Sequence, residues 1–148
     1  MPSKTIWPPV MRPGGSATRR RIGSGLAGFP EPTVEGHAGR AVAGQIGGVP
    51  VVAFQGRAHL YEGVDLDRIR TPVRALRAAG AEILLLTNAA GSLRIDLGPA
   101  SLMLIGDHIN MTGVNVLTGP NDEQLGPRFP SLRDAYDPEL RERLHAAE

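Results

Sequence analysis

Residues 71–92 read TPVRALRAAGAEILLLTNAAGS, and this stretch decides the fold. Thr71 is placed to cap a helix, and Pro72 suits its first turn. Val73, Leu76 and Ala79 form a roughly helical apolar stripe, and Gly80 can take the left-handed position just past the end. The apolar run at 82–86 follows and empties into the small residues 87–91, while a second run at 102–105, LMLI, leads into Gly106, Asp107 and His108. Strand, helix, strand is the parallel crossover pattern, and near-continuous apolar runs imply strands covered on both faces. The expected class is therefore α/β, with a mixed, largely parallel central sheet flanked by helices.

Upstream, residues 40–54 read RAVAGQIGGVPVVAF, two β-prone pieces around Gly47-Gly48, a pair that permits positive φ. A hairpin is expected there. Downstream, residues 115–130 are rich in turn formers, after which Asp137-Pro138-Glu139 supplies a cap and a first-turn proline for a helix with Leu140 and Leu144 on one stripe. Residues 1–21 contain Pro8, Pro9, Pro13, Gly14 and Gly15, show no periodicity and are expected to be mobile. A buried parallel strand does not start with three arginines, so Arg19, Arg20 and Arg21 are left outside the sheet. Residues 22–148 are then one domain-sized body.

Composition excludes several function classes. Sixteen basic against fifteen acidic residues give a net charge of +1, so no strong field points to nucleic acid or an anionic membrane. No cysteine is present, which removes disulfides and thiolate catalysis. No pair of histidines stands at metal-ligand spacing, no apolar run reaches the length of a membrane span, and the glycine-broken stretch after Arg21 does not make an export signal. A cytoplasmic protein without metal is expected.

The connection from Phe54 to Thr71 is long for such a unit, and its first part, residues 56–63, reads GRAHLYEG. Arg57, His59 and Tyr61 alternate, so an extended segment would present them on one side. A guanidinium matches phosphate or carboxylate with a planar fork, an imidazole adds a donor, and a phenol can reach a sugar hydroxyl. From the octet alone, a solvated arginine beside packed rings remains an equal reading. Two more loops are rich in backbone donors: IGSGL at 22–26, with Ser24, and TNAAGS at 87–92. In open parallel sheets ligands bind beyond the carboxyl ends of strands, where GRAHLYEG and TNAAGS both fall. Three donor-rich loops suggest a phosphate-sized anion.

In order along the chain stand GSGL, GHAGR, GRAHLYEG, LLLTNAAGSL, LMLIGDHIN, GPND and RFPSLRDAYDPELR. This series, from Ile22 onward, resembles the N-terminal half of the trimeric purine nucleoside phosphorylases of the inosine-guanosine type. The resemblance implies transfer of a pentosyl group from a purine nucleoside to inorganic phosphate, a co-substrate, with no cofactor. It implies phosphate ligands at Ser24, Arg57, His59 and the backbone of Ala89, with His37 gating the phosphate. It implies a ribose contact at Tyr61, and at Phe129 an aromatic that reaches a neighbouring subunit's ribose pocket in a homotrimer. Asn88 would hold the Ala89 loop. The family's base-reading residues have no counterpart among these 148, so a truncated form is expected. A non-catalytic remnant or subunit-interacting fragment, and a methylthioadenosine phosphorylase-like enzyme, are the alternatives.

Overall fold

In a computed structural model the described residues are 20–24 and 26–147. The central feature is a hairpin: strand β2, Arg40–Ile46, and strand β3, Val49–Gln55, pair antiparallel with Ile46 opposite Val49. Gly47 and Gly48 close it with φ of 57° and 81°, two left-handed residues whose twist matches that of the strands. The sequence expectation holds here. Pro50, which has no N–H to donate, is tolerated because β3 lies at the sheet edge.

A third strand corrects the reading of the N-terminal segment. Strand β1, Arg20–Ser24, pairs antiparallel with β2, with a register shift between Arg21 and Gly23. Residues 1–19 lie outside the described residues, but Arg20 and Arg21 belong to the sheet. An antiparallel edge strand needs a backbone partner on one side only and no cover on both faces, so arginines do not disqualify it. The described sheet, in the order β1-β2-β3, is therefore antiparallel, where a largely parallel one was expected. Strands and helices in one chain keep the class α/β.

Helix α1, Leu66–Ala78, starts six residues before Pro72. Asp65 caps it, its carboxylate accepting the Asp67 N–H at 2.7 Å, so Pro72 sits inside the helix and not at its first position. The earlier start extends the stripe to Leu66, Ile69, Val73 and Leu76, a longer apolar run that outweighs the hydrogen bond Pro72 cannot make. Thr71, expected as the cap, instead donates its hydroxyl to the Asp67 carbonyl at 2.9 Å. The C-terminus is as expected. Gly80, at φ 92°, lets its own N–H reach Arg77 O and the Ala81 N–H reach Leu76 O, each at 3.0 Å. Among the described residues the buried core is small: Ala41 on β2, Ala58 and Leu76. Phe29 packs on Phe54 with ring centroids 5.7 Å apart, and Arg68 of α1 donates to the Phe29 carbonyl at 3.0 Å.

The expected strands at 82–86 and 102–105 are irregular. Ile83, Leu84, Leu85 and Leu86 are 48% exposed or more. A parallel strand forms only where a segment remote in sequence bonds along at least one of its edges, and among the described residues no segment pairs with these runs. Helix α2, Pro138–His145, starts as expected, with Asp137 accepting the Leu140 N–H at 2.9 Å. The chain divides at Leu84/Leu85 into two compact units, each described below by itself.

Candidate functional site

Strand register sets the site of the first unit. Ser24, Arg40 and Gln55 stand abreast across the three strands, and the Gly39 N–H bonds the Gln55 carbonyl at 3.0 Å. The Arg40 guanidinium also bonds the Gln55 side chain. The chain leaving β1, the chain entering β2 and the chain leaving β3 therefore meet at one end of the sheet. His37 lies three residues before the start of β2, and GRAHLYEG follows β3 directly. Gly25, which completes the Gly-Ser-Gly turn, lies outside the described residues.

His37 is held against the backbone of the octet. Its Nδ1 lies 2.7 Å from the Arg57 carbonyl oxygen and 3.4 Å from the Arg57 N. One ring nitrogen cannot donate to the first and accept from the second, and the shorter contact decides. Nδ1–H donates to the carbonyl, which turns Nε2 to other partners. Close approach is possible only because residue 56 is glycine. Gly56 has φ 83°, and a β-carbon there would lie 2.5 Å from the His37 β-carbon.

The rings continue from His37. His59 lies 5.1 Å away, centroid to centroid, and Tyr61 stacks on His59 at 4.9 Å with 9° between planes. The segment is not extended throughout, as alternation suggested. His59 itself is extended, at φ −110° and ψ 154°, after which Leu60–Glu62 tighten into a 3-10 turn. Stacking, and not a strand, puts His59 and Tyr61 side by side. Tyr61 remains 76% exposed, with its face open to a ligand or neighbour.

Glu62 organises this turn, although it is no candidate from sequence. Its carboxylate accepts from the Thr33 N–H at 2.5 Å, the Thr33 hydroxyl at 2.6 Å and the His59 N–H at 2.5 Å. The Thr33 hydroxyl, then the Thr33 and His59 N–H groups, stabilise the charged form and hold the carboxyl down at about 2. The legible signal was spacing: His59-x-x-Glu62 places a carboxylate three residues after a helical-turn cap. Gly56 and Thr33 were likewise missed, since each matters through residues distant in sequence.

The second unit holds the remaining candidates. Residues 87–91 are irregular, and the Asn88 amide lies 3.5 Å from the Ala89 carbonyl, a long and local contact. Phe129 is 87% exposed, with the Arg128 guanidinium 5.9 Å from its ring centre. Arg128 also donates to the carbonyls of Leu117 and Gly119, at 3.2 and 2.7 Å, which fixes the GPND turn to the RFP segment. His108 stacks on Tyr136 at 5.4 Å, with the phenol oxygen 3.0 Å from its Nδ1. This pair holds the segment before α2. Among the described residues no helix is long and apolar enough to cross a membrane.

Known proteins share this sequence and backbone. The chain is 50% identical over 119 residues to purine nucleoside phosphorylase 1 of Geobacillus stearothermophilus, covering 80% of this chain and 43% of that protein. It is 47% identical over 126 residues to the purine nucleoside phosphorylase of Bos taurus, covering 83% and 44%. The crystal structure of isoform 2 of the Schistosoma mansoni purine nucleoside phosphorylase, in complex with cytosine and ribose-1-phosphate, superposes with a TM-score of 0.76 at 43% identity, covering 84% of this chain and 45% of that one. The chain thus spans less than half the length of the relatives it matches. Residues 19–148 match the model of the phosphorylase superfamily, and the chain belongs to that superfamily.

Proposed function

We propose that this chain carries the phosphate and ribose side of a purine nucleoside phosphorylase. The observation that carries the reading is the cluster at one sheet end, where His37, Arg57, His59 and Tyr61 are joined by one hydrogen bond and two ring contacts. Arg57 joins the cluster through its backbone carbonyl, and a guanidinium and two imidazoles are the donor types that suit a dianion. Relatives at about half identity are named for this reaction.

In the reaction, a phosphate oxygen bonds to the anomeric carbon of the nucleoside as the glycosidic C–N bond breaks. The electron pair of that bond leaves with the purine, which takes up a proton, and ribose 1-phosphate is formed. Phosphate is the nucleophile, so the protein needs no covalent one. Within the first unit Arg57, His59 and Ser24 hold the anion in line, which supplies the proximity term. The dianion held beside the sugar stabilises the positive charge that develops on the ring. His37, hinged on the Arg57 carbonyl, gates the phosphate, and Tyr61 lies against the ribose. Asn88 steadies the Ala89 loop, and Phe129 completes the ribose pocket of a neighbouring subunit in a homotrimer. Inorganic phosphate is a co-substrate and no cofactor takes part. The setting is cytoplasmic purine salvage.

The test is thermal unfolding of the chain against rising inorganic phosphate, with chloride at matched ionic strength as the control. A ligand that binds only the folded state raises stability by mass action, by about 2.7 kcal/mol at a hundredfold excess over Kd. A midpoint that follows phosphate and ignores chloride supports the reading, and release of hypoxanthine from inosine in the same buffer extends it to catalysis. Equal response to both anions sinks it.

A further inference from the structure

We infer that Arg128 is a positioning residue, which closes the loop between residues 117 and 128 and sets the Phe129 ring outward for the neighbouring subunit's ribose pocket. The inference rests on the role proposed for Phe129 and adds a residue to it. Among the described residues the loop pairs with no strand, and α2 begins only at Pro138, so its shape depends on its own bonds. These bonds are nested. At the tip the Leu125 and Gly126 N–H groups bond the Asp122 carbonyl at 2.9 and 3.3 Å, and the Asp122 carboxylate accepts from the Gln124 N–H at 3.0 Å. Inside the loop the Asn121 amide donates to the Gly126 carbonyl at 3.3 Å, across five residues. At the base one guanidinium nitrogen of Arg128 donates to the carbonyls of Leu117 and Gly119, at 3.2 and 2.7 Å. The tip and middle bonds are local and can form with the base open. The Arg128 contacts, spanning eleven and nine residues, draw the two arms together.

The same guanidinium reaches the aromatic ring. Its central carbon lies 5.9 Å from the Phe129 ring centre, within the range of a cation–π contact. With one nitrogen fixed on two carbonyls, the guanidinium is a platform that restricts the rotamers of the ring beside it. From the other side Pro130 limits the Phe129 backbone to extended conformations, because the proline δ-carbon crowds the residue before it. Phe129 is thus restrained through its side chain by the preceding residue and through its backbone by the following one. The ring is 87% exposed, so these restraints stand in for burial. An aromatic already held in place loses less entropy on docking than a free one. Lysine at 128 would keep the charge and a donor for the carbonyls, but it has no planar face to lay beside the ring.

The experiment uses the 148-residue chain and the variants Arg128→Gln, Arg128→Lys, Phe129→Ala and Arg128→Gln with Phe129→Ala. The first readout, without ligand, is the nuclear magnetic resonance order parameter of the backbone at residues 117–129 and of the Phe129 ring. Backbone values of about 0.85, the level of rigid structure, are expected in the wild type, falling below about 0.6 in Arg128→Gln and to an intermediate level in Arg128→Lys. Unmoved α2 resonances show that the unit around the loop stays folded. The second readout is affinity for ribose 1-phosphate by titration. Arg128→Gln is expected to weaken it about fivefold, the entropy of ordering one freed side chain, and Arg128→Lys to weaken it less. In the Phe129→Ala background the substitution at 128 should change nothing further, because Arg128 acts through the ring. Equal order parameters in wild type and Arg128→Gln overturn the inference, whatever happens to affinity. Equal affinity losses with and without the Phe129 ring show that Arg128 acts elsewhere, and overturn it too. A wild-type chain that ignores ribose 1-phosphate, but whose loop and ring loosen in Arg128→Gln, refutes the ribose-pocket role of Phe129 and leaves the positioning of the ring by Arg128 standing.

Discussion

Gly56 and His37 share a space that admits only one of two β-carbons: a methyl at 56 would lie 2.5 Å from the His37 β-carbon and 2.6 Å from its α-carbon. Both neighbours are near or on the backbone and cannot swing aside as a flexible side-chain end would. With φ at 83°, a side chain at 56 also strains its own backbone. Gly56→Ala is expected to cost at least about 2 kcal/mol of stability, the strain and the clash acting together. It is also expected to lift His37 from the Arg57 carbonyl. Urea unfolding measures the first effect, and loss of the hydrogen-bonded His37 Nδ1 proton signal measures the second. A variant of wild-type stability with that signal intact would contradict both.

Arg57→Lys tests the anion-binding role of the guanidinium. Lysine keeps the charge but replaces a planar fork with a point donor on a flexible stem. Phosphate affinity is expected to fall about tenfold, the difference between one and two charge-assisted hydrogen bonds. Stability should move little, since the backbone contact to His37 comes from the Arg57 carbonyl, which the substitution leaves in place. Titration with phosphate decides the matter, and unchanged affinity would place the anion elsewhere.

Glu62 gives the pH dependence a sign. Its pKa is lowered in the folded chain from the usual 4.5 to about 2, first by the Thr33 hydroxyl and then by the Thr33 and His59 N–H groups. The unfolded chain binds the extra proton in that interval, so stability falls with falling pH there. The contribution is complete above 4.5 and is lost as pH drops through about 2. The urea midpoint of the wild type should therefore approach that of Glu62→Gln across this window and stand clear of it above. Parallel pH profiles for the two proteins would mean that the carboxylate is not the titrating group.

Legibility divided along a physical line. The hairpin was readable because its turn, Gly47-Gly48, and both strands are contiguous, and the register follows from the turn alone. The C-terminus of α1 and the N-terminus of α2 were readable because caps act within a few residues. The start of α1 was not, because Pro72 carries two incompatible signals, first-turn residue and interior breaker, and Asp65 settles the choice from outside the window. The runs at 82–86 and 102–105 carry strand composition, but a strand is a pairing, and composition cannot supply the neighbour. At the site, Arg57, His59 and Tyr61 were legible as chemistry. Thr33 and Gly56 were not, since each acts only on a partner brought near by the sheet, Glu62 for the first and His37 for the second.

The hairpin turn offers a stabilising substitution. Gly47 sits at φ 57°, a conformation asparagine tolerates well, and asparagine has fewer unfolded conformations than glycine. Gly47→Asn should raise stability by about 0.5 kcal/mol, while Gly48→Ala, at φ 81°, should lower it by about 1 kcal/mol. Opposite shifts in urea midpoint are the expected result, and equal shifts would deny the turn its left-handed geometry.

Pro72 distinguishes the thirteen-residue helix from one that starts at Pro72. In a helix opening at 72, proline would be at its preferred first position, and alanine there would be neutral or slightly worse. In the helix from Leu66 to Ala78, position 72 is the seventh residue, so its missing N–H leaves the Arg68 carbonyl without its partner in the helix. Proline is about 3 kcal/mol worse than alanine in a helix interior, partly offset by the roughly 1 kcal/mol by which it restricts the unfolded chain. Pro72→Ala is therefore expected to stabilise the chain by about 1–2 kcal/mol, after allowing for the relaxation already present around the ring. The Thr71 hydroxyl bond to the Asp67 carbonyl lies one residue away and should survive, because neither partner is changed. Urea unfolding gives the stability, and slow exchange of the amide that the variant gains at position 72 reports the new hydrogen bond directly. Fast exchange of that amide with no gain in stability would place the start of the helix at residue 72 and detach Asp65 from its capping role.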